Sequence, residues 1–514
     1  MSGPGSGIPD VGPAGGRKAE APPRSDARLA FALFLAFQGL FLLAASGRSR
    51  TTDEHSFHAM TESLAGEGRL SVPQMERAGH FYGRFGKDGR PYCPYGFGQA
   101  VLAVPYHVLA GRLLEHAMPG RNAFLAREAA TSLLSTTAAA IAIALFFLLA
   151  RRAGAGAMIA FATAALLGVS TPLAVYAKQA FAEPLLACLA AGAWLALARG
   201  LKTRSKVSLA IASALAGWAF ATRFVPGSML AFALAAGFAF ERRRWPGWRE
   251  VLAMALPFVV LASSCLALNL ARFGDPLQFG YPDAAEGGKA LNAFSTPILH
   301  GLWGLLLSPG KGIFLFAPIV IAALAGFRLL FARLPGVAAA VAVFSLATLV
   351  FYAGYAQWEG GYCFGPRYLV PLLPGLVLPL ACALGERSRP LARIVVFLAV
   401  VGVAVQAIGV STSFLEDQAG TGRYYDARFD YRSDYTLASQ ARLFGRYAST
   451  LPTAGAFQER LGWGFDFWWV FLRKAGLSSG ALMAWAAIGA IFLFAGIRGL
   501  RAAWPRPPAT GSSP

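Results

Sequence analysis

The sequence predicts an all-α, polytopic membrane protein of about twelve transmembrane helices, with two juxtamembrane helices in the first extracytoplasmic loop. Three observations carry this expectation. Hydrophobic residues make up 56% of the 514 and charged residues only 14%, and the mean hydropathy of +0.50 lies outside the range of soluble domains. Apolar runs long enough to cross a bilayer recur along the chain. Basic residues gather in short clusters between alternate runs, the arrangement that orients membrane helices.

Residues 1–26, rich in Gly, Pro and Ser, read as a disordered cytoplasmic tail. The first apolar run, Leu29 to Ser46, follows Arg17, Lys18, Arg24 and Arg28. Its roughly 18 residues exceed the apolar part of a signal peptide, about 7 to 15, which favours a retained anchor. Residues 54–65 follow as a short interfacial helix, with Phe57, Met60 and Leu64 on one face and His55, His58 and Glu62 on the other, the polar face looking into water. Residues 98–114, interrupted by Pro105, His107 and Arg112, read as a second interfacial helix, because letting them cross would invert the loops that follow.

The spans are then 29–46, 126–150, 157–176, 184–199, 207–222, 224–240, 250–270, 312–331, 336–354, 368–385, 394–412 and 481–498. Each cytoplasmic loop receives a basic cluster: Arg151-Arg152, Arg199 through Lys206, Arg242 to Arg244 with Arg249, Arg328 with Arg333, Arg387 with Arg389 and Arg393, and Arg498 with Arg501. Both termini are expected on the cytoplasmic side of the plasma (inner) membrane. Residues 27–412 form the main transmembrane domain, including an outer loop at 47–125 and further large outer loops at 271–311 and 355–367. The last large outer loop covers 413–480, and 481–514 hold the last span and a cytoplasmic tail. The formal charge of +20 does not indicate nucleic acid, since the basic residues form no patch beside aromatic base-stacking positions.

The five cysteines show no metal-ligand spacing. Cys93 and Cys363 both fall in outer loops, which leaves a disulfide open in an oxidising compartment. The loop 413–480 carries Tyr424, Tyr425, Tyr431, Tyr435, Trp463, Trp468 and Trp469, a density suited to an interface belt first and a sugar-stacking surface second.

Ionisable residues near the outer ends of spans form a short list: Lys178 and Glu183, Arg223, Arg272 and Asp275, Lys311, Glu359 and Arg367. Outer cations run against the orientation bias and suit an anion, above all Lys311 and Arg367, which lie beside glycines at the start of helices; Tyr368 follows Arg367 directly. Gly310-Lys311-Gly312 is not a P-loop. Asp53 and Glu54 stand directly after the first span, where two readings remain open. Thr51 with Glu54 fits a capping box and Asp53 suits the helix dipole, while a carboxylate at an outer membrane surface also suits general-base chemistry. His55 and His58 with Glu62 leave a divalent cation open as a cofactor, although a polar helix face is the commoner meaning. A phosphate leaving group is already a stable anion, so one base and a set of cations suffice for transfer from a lipid-linked phosphate.

The Asp53-Glu54 pair, the run from Glu62-Ser63-Leu64 to Gly68-Arg69-Leu70, the Tyr95-Gly96-Phe97-Gly98-Gln99 segment before a Pro105-containing helix, and the outer Ala182-Glu183-Pro184 resemble the GT-C superfamily of polyprenyl-phosphate-sugar-dependent glycosyltransferases. The resemblance is to the group of lipid A aminoarabinose transferases and protein O-mannosyltransferases, and it covers most of residues 27–412. It implies an inverting hexosyl or pentosyl transfer from a polyprenyl-phosphate sugar to a cell-envelope acceptor, lipid, polysaccharide or protein, on the extracytoplasmic side. Carried over, Asp53 is the base and Glu54 its helper or substitute, while Lys178, Lys311 and Arg367 are assigned to the donor phosphate by chemistry more than by motif. Trp468-Trp469-Val470 is not the W-W-D motif of the oligosaccharyltransferase branch. A transporter or flippase of lipid-linked saccharides is the alternative, and its mark would be ionisable residues deep within spans. A catalytically silent scaffold is a third reading.

Overall fold

The computed structural model describes residues 24–79, 81–114, 121–241, 247–281, 293–361, 363–386, 389–414, 436–450, 465–470 and 478–504. The aromatic residues Tyr424, Tyr425, Tyr431, Tyr435 and Trp463 of the last outer loop lie outside these.

α1 (Arg24–Ala44) is followed by α2 (Thr52–Glu67), which starts at a capping box formed by Thr51 and Glu54. α3 (Pro73–Arg77) and a small antiparallel ribbon, β1 (Arg84–Phe85) paired with β2 (Pro91–Tyr92), complete the middle of the first outer loop. α4 (Gly98–Leu114) carries Pro105 within it. Then come α5 (Arg121–Arg152), α6 (Ala157–Val169), α7 (Leu173–Ala177), α8 (Glu183–Thr203), α9 (Lys206–Thr222), α10 (Phe224–Glu241) and α11 (Trp248–Phe273). α12 (Ile298–Leu307) precedes three short helices, α13 (Ile313–Phe316), α14 (Ile319–Leu324) and α15 (Phe327–Arg333). α16 (Pro335–Gly354) is followed by a 3-10 turn, Arg367–Leu372, that runs into α17 (Leu373–Gly385), then by α18 (Arg389–Ser411), α19 (Leu437–Thr450) and α20 (Ser479–Ala503).

Among the described residues nine helices are long and apolar enough to cross a membrane, and they fall on nine of the expected spans. The other three differ. Residues 206–222 form an apolar helix of 17 residues, α9. The run 157–176 divides at Pro172 into α6 and α7, and the run 312–331 divides at Pro318 and Gly326 into three pieces. Proline lacks the N–H that would carry a helix through, a feature that apolar content does not register. α4 is not among the apolar helices, in keeping with its interfacial reading.

The main core lies where α5, α8, α16 and α17 meet, around Phe146, Phe147, Trp194, Phe316 and Val377. Within a bilayer helices associate by close packing rather than by escape from water. Gly39 shows this: a Cβ there would stand 2.3 Å from the Leu493 nitrogen and 2.5 Å from the Gly489 oxygen, so α1 and α20 meet backbone to backbone. α11 and α20 form the flanks, exposing Val259, Val260, Ile491 and Phe494.

One sequence expectation is corrected here. α2 does not lay its whole polar face in water: α4 and α5 cover His58, which is only 4% exposed, while the His55 side chain keeps 41% exposure. Its apolar face, with Phe57 and Met60, packs into a second core with Val72, Met75, Ala100, Ala103 and Leu134.

Candidate active site

The two acidic residues at the start of α2 have different surroundings. Glu54 is fully buried, and its carboxylate accepts from the backbone N–H groups of Arg50 at 2.9 Å, Thr51 at 3.0 Å and Ala180 at 3.1 Å. Burial pushes its carboxyl up, against the pull of those N–H donors. It closes the capping box and also fastens α2 to the turn at residues 178–183. Of the acidic pair, Glu54 is occupied as the cap of α2.

Asp53 keeps 23% of its side chain exposed. It accepts from the Tyr95 hydroxyl, from Nη2 of Arg367, and from Nη2 of Arg223 at 3.3 Å. Burial alone would raise its pKa; the guanidinium of Arg367, then that of Arg223, and the Tyr95 hydroxyl outweigh it and hold the carboxyl well below the usual range.

Each partner is delivered by a different part of the chain. Arg223 caps the C-terminus of α9, and its guanidinium carbon stands 4.0 Å over the Tyr95 ring. Gly96 makes that approach possible: a Cβ there would lie 2.0 Å from the Ala221 oxygen, so only glycine lets the Tyr95 segment rest on the last turn of α9. Arg367 opens the 3-10 turn, donates through Nε to Glu183 Oε1 at 2.6 Å, and lies 4.5 Å over the Phe181 ring. Glu183 is in the first turn of α8. Gln99 Nε2 donates to the Ala180 carbonyl at 3.0 Å, fixing the same turn from the α4 side. Asp53, Phe57, Tyr95, Gln99, Ala180 and Arg223 line a small recess that opens to solvent.

The structure thus brings Asp53, Glu183 and Arg367 together and adds Arg223, which stood on the short list without a role. Lys178 and Lys311 are elsewhere in their bonding. Lys178 is 1% exposed, with Nζ 2.7 Å from Asp466 and 2.8 and 3.0 Å from the carbonyls of Val410 and Thr412. Lys311 is fully buried, with Nζ 3.1 and 2.8 Å from the carbonyls of Gly361 and Cys363. Glu359 is half-buried, and its carboxyl is pushed up by that burial, with Lys311 pulling the other way. Tyr368 stacks on Tyr352 at a centroid distance of 3.8 Å. Cys93 and Cys363 are both free thiols and do not pair. Asp466, buried to 1%, was not singled out by the sequence.

The one-face trio of His55, His58 and Glu62 does not form. His55 Nδ1 turns to Glu128 Oε1 at 3.1 Å, His58 packs against His107 at 5.6 Å between ring centroids, and Glu62 accepts from Gln74 at 2.9 Å. Among the described residues no group of three ligating side chains is placed to hold a metal ion.

Burial lowers both His58 and His107, the latter to about 4, with His58 adding its own repulsion to His107. Their folded pKa values lie below the unfolded value of about 6.5, so their contribution to stability is complete above that pH and is lost as pH falls towards 4. Thermal unfolding in detergent should therefore show a midpoint that declines from pH 6.5 to pH 4, and His107→Gln should flatten the decline. An unchanged slope in that variant would contradict the assignment.

No protein-family profile and no curated protein sequence matches the chain. Among solved structures, ArnT from Cupriavidus metallidurans in the apo state is similar in fold at a TM-score of 0.50 and 15% identity, over 92% of this chain and 75% of that one. The same protein bound to undecaprenyl phosphate aligns at a TM-score of 0.45 and 16% identity, over 92% and 76%. The likeness to apo ArnT is one of fold, and it agrees with the polytopic, predominantly helical membrane architecture read from the sequence.

Proposed function

We propose that the chain is a membrane glycosyltransferase that moves a sugar, with inversion, from a polyprenyl-phosphate donor to a lipid, polysaccharide or protein acceptor of the cell envelope on the extracytoplasmic side. The observation that carries the reading is the Asp53 carboxylate paired with Arg223 and Arg367 at the edge of a recess, with Glu183 behind Arg367. Asp53 is the base. Arg223 and Arg367 hold the donor phosphate, because a guanidinium fork matches phosphate oxygens and is always charged. Lys178 and Lys311, with their ammonium groups turned to Asp466 and to backbone carbonyls, serve the fold, and Glu54 serves as cap and clasp.

In the transfer, the acceptor oxygen forms a bond to the anomeric carbon as the bond from that carbon to the phosphate oxygen breaks. The electron pair leaves with the phosphate, giving polyprenyl phosphate, and the acceptor's proton passes to Asp53. The extra negative charge on the leaving phosphate falls beside the two guanidiniums, where preorganised donors act most strongly. In the resting site those guanidiniums hold Asp53 too acidic to take a proton. An arriving phosphate competes for them and adds its own negative charge, and both effects raise the proton affinity of Asp53 at the moment it is needed.

Transport of the intact lipid-linked saccharide is the alternative, and cleavage of the donor separates the two. Purified protein in liposomes, given a panel of labelled polyprenyl-phosphate sugars and envelope extract, should move label to an acceptor and release polyprenyl phosphate. Movement of intact donor across the bilayer with no cleavage would establish the transporter instead.

A further inference from the structure

Residues 465–470 cross the outer ends of α1 and α18 as a strap. The Asp466 N–H donates to the Ser411 carbonyl at 2.9 Å and the Trp468 N–H to the Ala45 carbonyl at 2.8 Å. The Trp468 ring is 5% exposed and packs with Ala45, Leu482 and Trp485. Between these anchors the Asp466 side chain points inwards. One oxygen accepts from Lys178 Nζ at 2.7 Å, and the other accepts from Arg50, with Arg48 at 3.6 Å. Burial alone would raise its carboxyl; the charges of Arg50 and Lys178 outweigh that and hold it below its ordinary value.

Both principal partners lead to Asp53. Arg50 gives its backbone N–H to Glu54 and stands just before α2. Lys178 opens the turn that supplies the Ala180 N–H to Glu54, the Phe181 ring under Arg367, and Glu183 to Arg367 Nε. The Lys178 carbonyl accepts from the Ser46 N–H at 3.0 Å, at the exit of α1. Asp466 therefore grips two strands of chain: one places the base and the other orients its arginine.

We propose that Asp466 is a positioning residue for the Asp53 site, fixing through Arg50 and Lys178 the placement of the α2 N-terminus against the Phe181–Glu183 turn. This rests on the transferase reading above. It also gives Lys178 a role through Asp466 in place of direct contact with the donor. Displacement of a catalytic group by about 1 Å from a distant change can cost about 100-fold in rate.

The test is a double-mutant cycle in the full chain in liposomes with Asp466→Asn and Lys178→Met, read as kcat and donor KM, together with amide hydrogen exchange. Each single variant should lower kcat by roughly 10- to 100-fold while donor KM stays within about threefold, and the double variant should be no worse than the poorer single, since the residues act as one unit. Exchange at residues 52–55 and 179–183 should rise by about tenfold or more in Asp466→Asn, with the interior of α8 unchanged. A raised donor KM in Lys178→Met beside a wild-type-like Asp466→Asn would overturn the proposal and return Lys178 to the donor. Unchanged exchange in a folded Asp466→Asn would overturn it as well. If Asp466→Asn does not fold, Lys178→Met, which keeps the carboxylate for Arg50, is read by the same two measurements. Should the wild type transfer no sugar, the transferase reading fails by itself, and the exchange comparison still decides whether Asp466 holds the two strands.

Discussion

Arg367→Gln should abolish sugar transfer, with a loss on the order of 1,000-fold or more, and should also weaken the fold. Two roles are removed at once. In the resting protein Arg367 is 11% exposed and bridges Asp53 and Glu183; in the variant Glu183 loses its guanidinium partner and Asp53 keeps only that of Arg223. Breaking a buried ion pair by deleting one member costs about 3–5 kcal/mol, because the remaining charge stays buried. In the proposed reaction it is one of the two guanidiniums beside the leaving phosphate, and loss of a single preorganised donor costs about 100- to 1,000-fold. Arg367→Lys separates charge from geometry: one ammonium cannot reproduce Nε on Glu183 and Nη2 on Asp53 together. It should restore part of the stability and little of the transfer. Transfer rates and thermal midpoints for the two variants check this, and wild-type transfer by Arg367→Lys would contradict it.

Glu54→Ala is expected to weigh the other way, with a large effect on stability and a smaller one on transfer. The carboxylate closes the α2 capping box and binds the Ala180 N–H, so its removal takes away a helix cap and leaves buried donors unmet. A lost cap costs about 1 kcal/mol and an unmet buried donor about 1–3 kcal/mol, for a total of about 2–4 kcal/mol. Protein that remains folded should lose transfer by about 10- to 100-fold, the cost of a displaced Asp53 rather than of a missing catalytic group, since Glu54 clasps α2 to the Ala180 N–H without itself lining the recess. Chemical unfolding in detergent and transfer measured on the folded fraction distinguish the two effects. A folded Glu54→Ala as inactive as an Asp53 variant would give Glu54 a part in the chemistry.

How legible each feature was depended on how local its cause is. The Thr51/Glu54 cap needs four consecutive residues, and it formed as read. Asp53 stood out because a carboxylate just beyond the first span needs a reason. Its electrostatic setting did not, since Arg223 and Arg367 are 170 and 314 positions away in sequence. The polar face of α2 was readable as polar, but periodicity does not tell water from another polar surface, and here His107 on α4 and Glu128 on α5 supply that surface. Lys178 and Lys311 met every local expectation of an anion-binding cation. What redirects them is distant: Asp466, 288 positions on from Lys178, and the carbonyls of Gly361 and Cys363 facing Lys311. Spans 157–176 and 312–331 were read from apolar content, which passes over Pro172, Pro318 and the helix ends they impose.

The most direct measurement compares wild type and Asp53→Asn for transfer from labelled polyprenyl-phosphate sugars to envelope acceptors in liposomes, with the fold of each confirmed by thermal unfolding. The amide keeps the size of the side chain, and its single oxygen can still accept from Arg223 and Arg367, while it cannot serve as a base of useful strength. The account predicts transfer by the wild type and near-complete loss in a folded Asp53→Asn. Equal transfer by the two proteins would contradict it, leaving Asp53 as a structural partner of the two arginines and the base in another place.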